Sequence, residues 1–545
     1  MRSVQVKVGN WAEVMRGASV AILVGFLVAA VSCSVRAGET DASKEEGAAP
    51  AAKPRYCVLF NQDCTHLFDR GSQLTPQDVQ RMVDEVAGGG ADVMLVNPNA
   101  QLANYPSKVW QTWWDGYKEG DRSFFAGVPD KSVARRENWV WEMAHLAQQC
   151  DYLATALSRC REKAIAPGIS LRMNDIHDGG NPDSHMHSRF YKENPQFHLK
   201  FFSGSLNPAG LDYTNGEVRE HYLSLIRELA EGYDFDVLEL DFMRFPYYFN
   251  ANEGEQNCET ITGFIREVRE ILDGSGRPIS LIPRVASSPE AARKLGFDVQ
   301  AWAREGIVDG ITVANFLGTA WDMPIDRFRK LVGPDVAVYA SAEVAADRRD
   351  GLPVRYLPES YEMLRGFAAG YLAAGADGVN TFNYFLARHH KPVRTAEAFY
   401  GGQREMRSLE EARGKPRIHV LSVAKRLPAC DMPNQAPVTI RASAEHRFEM
   451  ILAAEGGGQE VEALVYYDGE NRPEDLSLGI GSHSIGHAVE IREGPAGNEE
   501  DKSSRKSKIA VFKVPPGVIV DGRNELVIHS ERVDTTILGI DVCVR

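Results

Sequence analysis

Cysteine is scarce: eight residues in a chain of 545, none in a Cys-x-x-Cys arrangement. A thiolate zinc knuckle therefore has no foothold. Setting Cys33 aside leaves an odd number, which argues against a disulfide framework. Cys150 and Cys160 fall in what reads as one helix, where the rise between them is about 15 Å and no bridge can form. Long apolar runs are missing too. The longest, Ala18 to Val31, is too short to span a bilayer comfortably. Positive charge is in deficit, with 61 Lys+Arg against 75 Asp+Glu and a net charge of −14. Such a balance repels a phosphate backbone, and the one basic cluster, Lys502 to Lys508, reads as a solvated Ser-rich loop, so nucleic acid is excluded as a partner. Gly88 to Gly90 lacks the lysine of a phosphate loop and closes a helix instead. There is no Gly-x-Ser-x-Gly elbow, so a serine-hydrolase triad is unsupported.

What remains is an ordinary globular composition, 43% hydrophobic and 25% charged, long enough for two to four domains. Arg2, Lys7 and Arg16 precede the apolar run, and Val35-Arg36-Ala37 offers small residues where a signal peptidase cuts. Residues 1–37 are thus expected to be an export signal, and the mature chain to have no membrane span. Ala30-Val31-Ser32-Cys33 is the alternative, a lipoprotein-like cleavage before Cys33. Residues 38–54, rich in Ala, Glu and Lys, read as a flexible leader.

From 55 to 413 strand-like runs alternate with amphipathic helical ones. Eight strands are expected: Tyr56–Phe60, Asp92–Asn97, Gly168–Asn174, Val237–Asp241, Ile279–Arg284, Gly310–Asn315, Val336–Ser341 and Gly378–Asn383. Helices are expected between them, one running from Trp139 to Lys163. The pattern predicts an α/β fold, a (β/α)8 barrel, with an open doubly wound sheet as the alternative. Side-chain alternation turns Ile169, Leu171, Leu238, Leu240 and Leu281 toward the helices. It turns Arg172, Asn174, Glu239, Asp241 and Arg284 toward the axis. After Gly414 short alternating runs separated by Gly, Pro, Asn and Asp predict an all-β sandwich over 414–545. Its end, Pro515 to His529 and Gly539 to Arg545, resembles the closing strands of galactose-binding-like jelly rolls, which implies a carbohydrate-binding-like module.

Barrel active sites lie where the strands end. Here those ends carry Asp63, Asn97, Asn174, Asp175, His177, Asp241, Arg244, Arg284, Asn315, Glu343 and Asn383. Amides, carboxylates and guanidiniums concentrated on one rim suit the hydroxyls of a carbohydrate. Tyr105, Trp110, Trp113, Trp114 and Tyr117, and Phe245 to Phe249, follow the same rim, where rings can either stack on sugars or pack long loops. Asn97, Asn174, Asp175, His177, Arg244, Arg284, Asn315 and Asn383 are accordingly expected to bind substrate.

The run Tyr233 to Pro246, YDFDVLELDFMRFP, resembles the fourth-strand motif of bacterial glycoside-hydrolase-like barrels, including family-10-type putative glycosyl hydrolases. In that motif an Asp-aromatic-x-Arg-aromatic-Pro phrase closes the strand. Leu211 to Tyr222 is similar to their entry into the third helix. Phe242 and Met243 stand where Tyr or Asp is commoner. The resemblance implies a catalytic pair of carboxylates, and sugar cleavage asks for the same: an anion as nucleophile or base, and a proton donor. Asp241, with Arg244 nearby, is the expected anion. Glu343, among alanines and a serine, is the expected acid, with Asp175 and then Glu239 as alternatives. Glu239 is expected to be clamped by Arg172 or Arg284. Asp63, His66, Asp175, His177, Asp178, His185 and His187 could ligate a metal, but no fixed ligand spacing accompanies them, so neither metal nor cofactor is expected. The sequence thus reads as an exported glycosidase. A non-catalytic carbohydrate-binding barrel and a metal-dependent hydrolase of a polysaccharide substituent are the alternatives.

Overall fold

The computed structural model describes residues 55–545 apart from 69–72, 201–209, 348–351, 385–394, 425, 428–431 and 496–506, and apart from the side chains of Thr65 and His66. The expected export signal, the leader and Cys33 lie outside the described residues, as do His66 as a ligand and most of the Lys502–Lys508 cluster. No helix among the described residues is long and apolar enough to cross a membrane.

Eight parallel strands close into a barrel: β1 (Val58–Gln62), β2 (Val93–Val96), β3 (Ala166–Arg172), β4 (Val237–Asp241), β5, β6 (Gly310–Ala314), β7 (Ala337–Glu343) and β8 (Gly378–Phe382). Pairing of β1 with β8 and of β3 with β4 leaves no edge. Strand β5 runs in two pieces, Ser280–Leu281 and Arg284–Ala286; Pro283 between them has no N–H for a ladder bond. Outside lie α1 (Pro76–Gly88), α2 (Asp130–Ala147), α3 (Tyr152–Glu162), α4 (Gly216–Gly232), α5 (Cys258–Gly274), α6 (Val299–Glu305), α7 (Ile325–Val332) and α8 (Tyr361–Ala373). The single helix expected over Trp139–Lys163 is two. The Asp151 side chain caps α3 by accepting from Ala154 N at 3.1 Å, which starts a new helix there. Cys150 therefore lies in the break and not in one helix with Cys160; the six described cysteines are free thiols.

The barrel is layered by the two-residue period of its strands. Ile169, Leu171, Leu238, Leu240, Ile311, Val338 and Val379 fill the space between sheet and helices. Leu59, Val93, Leu95, Val237, Ile282 and Tyr339 form an apolar plug toward the strand starts. One step further along come Asn61, Ser170, Glu239 and Thr312, and one further again Arg172, Asp241, Arg284 and Glu343. Inside the barrel the charged side chains thus gather toward the end where the strands stop, above the apolar plug.

Ten strands follow among the described residues: β9 (Arg417–Val420), β10 (Val438–Ile440), β11 (Ala444–Leu452), β12 (Val461–Asp468), β13 (Leu476–Ile480), β14 (His483–His487), β15 (Glu490–Glu493), β16 (Lys508–Val514), β17 (Gly522–Ser530) and β18 (Thr535–Val544). They make two antiparallel sheets, β9-β18-β12-β16-β15 with β10 beside β18, and β11-β17-β13-β14, enclosing a separate apolar core.

Helix α8 packs directly on β9. A Cβ on Gly366 would stand 1.9 Å from Ile418 O and one on Gly370 3.0 Å from Ile451 O. The contact is backbone against backbone, and Arg355 adds a two-pronged ion pair to the buried Asp541, at 2.7 and 2.9 Å. Gly366→Ala should therefore force α8 and β9 apart and lower stability by about 1–3 kcal/mol. Gly232→Ala, with nothing within 4 Å of the added carbon, should change little. Thermal unfolding of the two variants side by side checks this, and equal midpoints would overturn it.

Candidate active site

Strands β4, β5 and β7 bring Asp241, Arg284 and Glu343 together at the barrel mouth. Arg284 is 1% exposed. Its Nη1 donates to Asp241 Oδ1 at 3.0 Å and its Nη2 stands 4.0 Å from Glu343 Oε1. The Phe382 ring, at the end of β8, lies 3.6 Å from the guanidinium carbon, a cation–π contact on the face that hydrogen bonds leave open. Asp241 Oδ1 also accepts from the backbone N–H of Met243 and of Arg244, each at 3.0 Å. Glu343 Oε2 accepts from Gly318 N at 2.8 Å, while Thr319 Oγ1 accepts from Glu343 N at 3.0 Å and donates to Glu343 O at 2.8 Å. The setting of Glu343 is therefore more polar than its alanine neighbours imply. With one guanidinium facing both carboxylates, their nearest oxygens lie within about 9 Å, a span that takes in the separations of both retaining and inverting pairs.

A second cluster adjoins it. Arg172 donates to Asp175 Oδ2 and to Asp63 Oδ2, both at 3.2 Å. His177 Nδ1 lies 2.8 Å from Asp175 Oδ1, and Arg244 Nη2 lies 3.1 Å from His177 Nε2. The guanidinium has only hydrogens to offer, so Nε2 accepts and Nδ1 carries the proton that bonds Asp175. Burial pushes the Asp175 carboxyl up, but His177, Arg172 and Arg244 together pull it down further, well below the usual carboxylate range. Burial and the nearby Arg172 in turn lower Arg244. An acid held so firmly ionised is a poor proton donor.

The other rim residues divide. Asn97 donates to Ser170 O at 2.9 Å. Asn174 donates to Leu211 O and Tyr247 O and accepts from Leu211 N, at 2.7–2.9 Å. Asn315 donates to Leu317 O and Gly318 O. These three amides, expected to bind substrate, are engaged with backbone and hold the rim loops in place. Asn383 differs: its amide oxygen is buried without a hydrogen-bond donor among the described residues, and its φ is +50°. Left-handed backbone recurs after β1 at Cys64, beyond β3 at Asp178 and after β4 at Phe245. Such conformations are costly for non-glycine residues and collect at functional sites.

Of the two roles open to the rim aromatics, most take that of packing the loops. Trp110 stacks on His221 with centroids 4.2 Å apart, Trp113 packs on Trp139, and the Tyr105 hydroxyl donates to Glu228. Tyr247, Tyr248 and Phe249 are buried. Phe245 stays half-buried at the rim, edge-on to His177 at 4.8 Å. Asp178 bonds Arg136 and Ser184, while His185 packs among Phe125, Phe124 and Trp113.

Glu239 is not clamped by an arginine as expected. Its Oε1 accepts from Asn61 Nδ2 at 2.7 Å and from Ser170 Oγ at 2.8 Å. Burial and the charge of Asp241 one layer up, opposed by Arg284 and these donors, push its carboxyl from 4.5 up to about 7. The folded chain thus holds this proton more tightly than the unfolded one. The resulting stability is whole below about pH 4.5 and is lost as pH rises through about 7. Glu239→Gln should gain on the wild type with rising pH, by on the order of 3 kcal/mol above the folded value. Urea unfolding of both proteins at about pH 5 and pH 8 tests it, and a difference independent of pH would overturn it.

Strand parity could have found Phe382, which shares the inner face with Asn380. Nothing local in the sequence marks the reach of Arg426 to Asn315, 111 residues away.

Comparison with family models finds no match, and neither does comparison with curated proteins. Among solved structures, the chain is similar to α-L-fucosidase isoenzyme 2 from Paenibacillus thiaminolyticus, with 12% identity and a TM-score of 0.42 over 67% of this chain and 51% of that one. It is also similar to the PgaB (BpsB) glycoside hydrolase domain from Bordetella bronchiseptica, with 11% identity and a TM-score of 0.39 over 64% and 99% of the two chains. For an α-amylase from Geobacillus thermoleovorans the figures are 10% and 0.35, over 90% and 98%. This chain thus spans about half the length of the fucosidase. The likeness is to glycosidase barrels of several kinds, and no single family is identified.

Proposed function

We propose that this protein is an exported glycoside hydrolase that cleaves glycosidic bonds in a poly- or oligosaccharide with two carboxylates. Asp241 acts as the anion and Glu343 as the proton donor. One observation carries the reading: a single buried guanidinium, Arg284, faces both carboxylates from between their strands, at 3.0 Å from Asp241 and 4.0 Å from Glu343. The closer pairing assigns the negative charge to Asp241, where an oxocarbenium-like transition state needs it. Glu343, on the other side of the same guanidinium, is the second carboxylate and the proton donor of this reading. His177, locked by Asp175, together with Arg244 and Asn383, offers hydrogen-bonding groups to sugar hydroxyls. In this reading residues 1–37 direct export, residues 55–413 form the catalytic domain and residues 414–545 a β-sandwich.

The test is direct. The purified full chain, incubated with a panel of polysaccharides and oligosaccharides, is expected to release new reducing ends from at least one of them. Binding without any release of reducing ends would overturn the proposal in favour of a non-catalytic carbohydrate-binding barrel. Activity that a chelator abolishes and a divalent cation restores would count against a mechanism resting on carboxylates alone.

A further inference from the structure

We infer that the C-terminal sandwich positions the proton donor: Arg426, in the loop between β9 and β10, holds Asn315 and through it the turn that grips Glu343. The inference rests on the reading of Glu343 given above and assigns Arg426 as a positioning residue, remote from the reacting atoms.

The loop leaves the sandwich in alternation. Leu421 and Val423 enter the sandwich core, while Ser422 between them turns to the barrel and accepts from Trp321 N at 3.0 Å. Asn434 bonds both the N–H and the carbonyl of Ala424, at 3.2 and 2.9 Å, and so ties the two ends of the loop together. From this base the Arg426 side chain reaches the barrel rim, 9% exposed against an Asp322 side chain that is 6% exposed. Its Nη2 donates to both Asp322 oxygens, at 3.0 and 3.1 Å, and to Ser422 Oγ at 2.7 Å. Its Nε donates to Asn434 Oδ1 at 2.9 Å, and its Nη1 to Asn315 Oδ1 at 3.3 Å.

That last bond orients an amide. With its oxygen turned to the guanidinium, Asn315 points its NH2 at the carbonyls of Leu317 and Gly318, at 2.8 and 3.1 Å. Gly318 N then meets Glu343 Oε2 at 2.8 Å, and Thr319 brackets the Glu343 backbone from the same turn. A short rigid path therefore runs from the sandwich to the carboxyl. Proton donation depends steeply on placement, since a misplacement of about 1 Å can cost about a hundredfold in rate. Lysine cannot replace the planar fork, which bonds Asp322 and Asn315 at once.

The test uses the full chain and two substrates, one with a natural sugar leaving group and one with an activated aryl group that departs without a proton. Arg426→Ala is expected to lower kcat on the first by about ten- to a hundredfold, to spare the second, and to leave KM within about twofold. Arg426→Lys should fall between. Asn315→Asp keeps the acceptor for Arg426 but removes the amide donors, so it should give the same leaving-group selectivity even if Arg426→Ala folds poorly. If Glu343→Gln shows that selectivity but the Arg426 and Asn315 variants lose both substrates equally, or lose neither, the positioning role is overturned while the catalytic reading stands. If Glu343→Gln itself shows no selectivity, the assignment of Glu343 fails and the inference fails with it.

Discussion

Asp241→Asn is expected to lower turnover by about a thousandfold or more while the barrel still folds. The amide has the shape of the carboxylate, and its oxygen can still accept from Met243 N, Arg244 N and Arg284 Nη1. What disappears is the negative charge. In the ground state that charge balances Arg284, a fully buried cation, so the substitution carries a stability cost as well. Breaking one side of a buried ion pair typically costs about 3–5 kcal/mol, here moderated by the Phe382 ring against the guanidinium. Kinetics should therefore be measured well below the unfolding midpoint of the variant, with its folded fraction checked by circular dichroism. A carboxylate that served only to neutralise Arg284 would give a less stable enzyme with nearly normal turnover of the folded molecules, and that result would refute the assignment.

Glu343→Gln should separate substrates by leaving group. A natural sugar leaves as an alkoxide unless it receives a proton, so its cleavage is expected to fall by about a hundredfold or more, within the usual reach of general acid catalysis. An activated aryl glycoside needs no such help in its departure and should be spared. The geometry adds a control. The Gly318 N–H and the Thr319 hydroxyl fix the side-chain oxygen and the backbone of residue 343, and glutamine can keep both bonds, so stability should change little. Equal loss on both substrates would return Glu343 to a structural part. Asp175 would then be a weak substitute, because His177 and two arginines hold it ionised.

The two predictions depend on features of unequal legibility. Asp241 could be read directly: it ends a five-residue strand of alternating character, Val237-Leu-Glu-Leu-Asp241, whose parity aims it inward. Arg284 could be read the same way despite the break at Pro283, because the inner face resumes after it. The apolar sequence context of Glu343 misled, since its surroundings come from the Gly318 turn and from Arg284 rather than from its own strand neighbours. The backbone partners of Asn97, Asn174 and Asn315 were not legible for a related reason. An amide at a strand end suits a loop carbonyl as well as a sugar hydroxyl, and only the path of the loops decides between them. The aromatic residues after β2 followed the same rule: Trp110, Trp113 and Tyr105 found His221, Trp139 and Glu228 on other segments, and so became packing.

By itself the sequence determined the alternation of parallel strands and helices, the all-β segment after it, the inward and outward faces of the strands and the end of the barrel interior where charged side chains gather. All of these follow from periods of 2 and 3.6 residues and from where polar side chains interrupt them, and such patterns are local. Only the tertiary structure decided which charges meet. It set Arg284 between Asp241 and Glu343 rather than beside Glu239, and it spread Asp175 across His177 and Arg172. It also carried Arg426 from the sandwich to the rim of the barrel. Pairing of this kind depends on strand stagger and loop path, and on α8 and β9 lying backbone to backbone at Gly366 and Ile418. No residue's own neighbours in the chain encode those distances, because they are fixed by the packing of segments far apart in sequence.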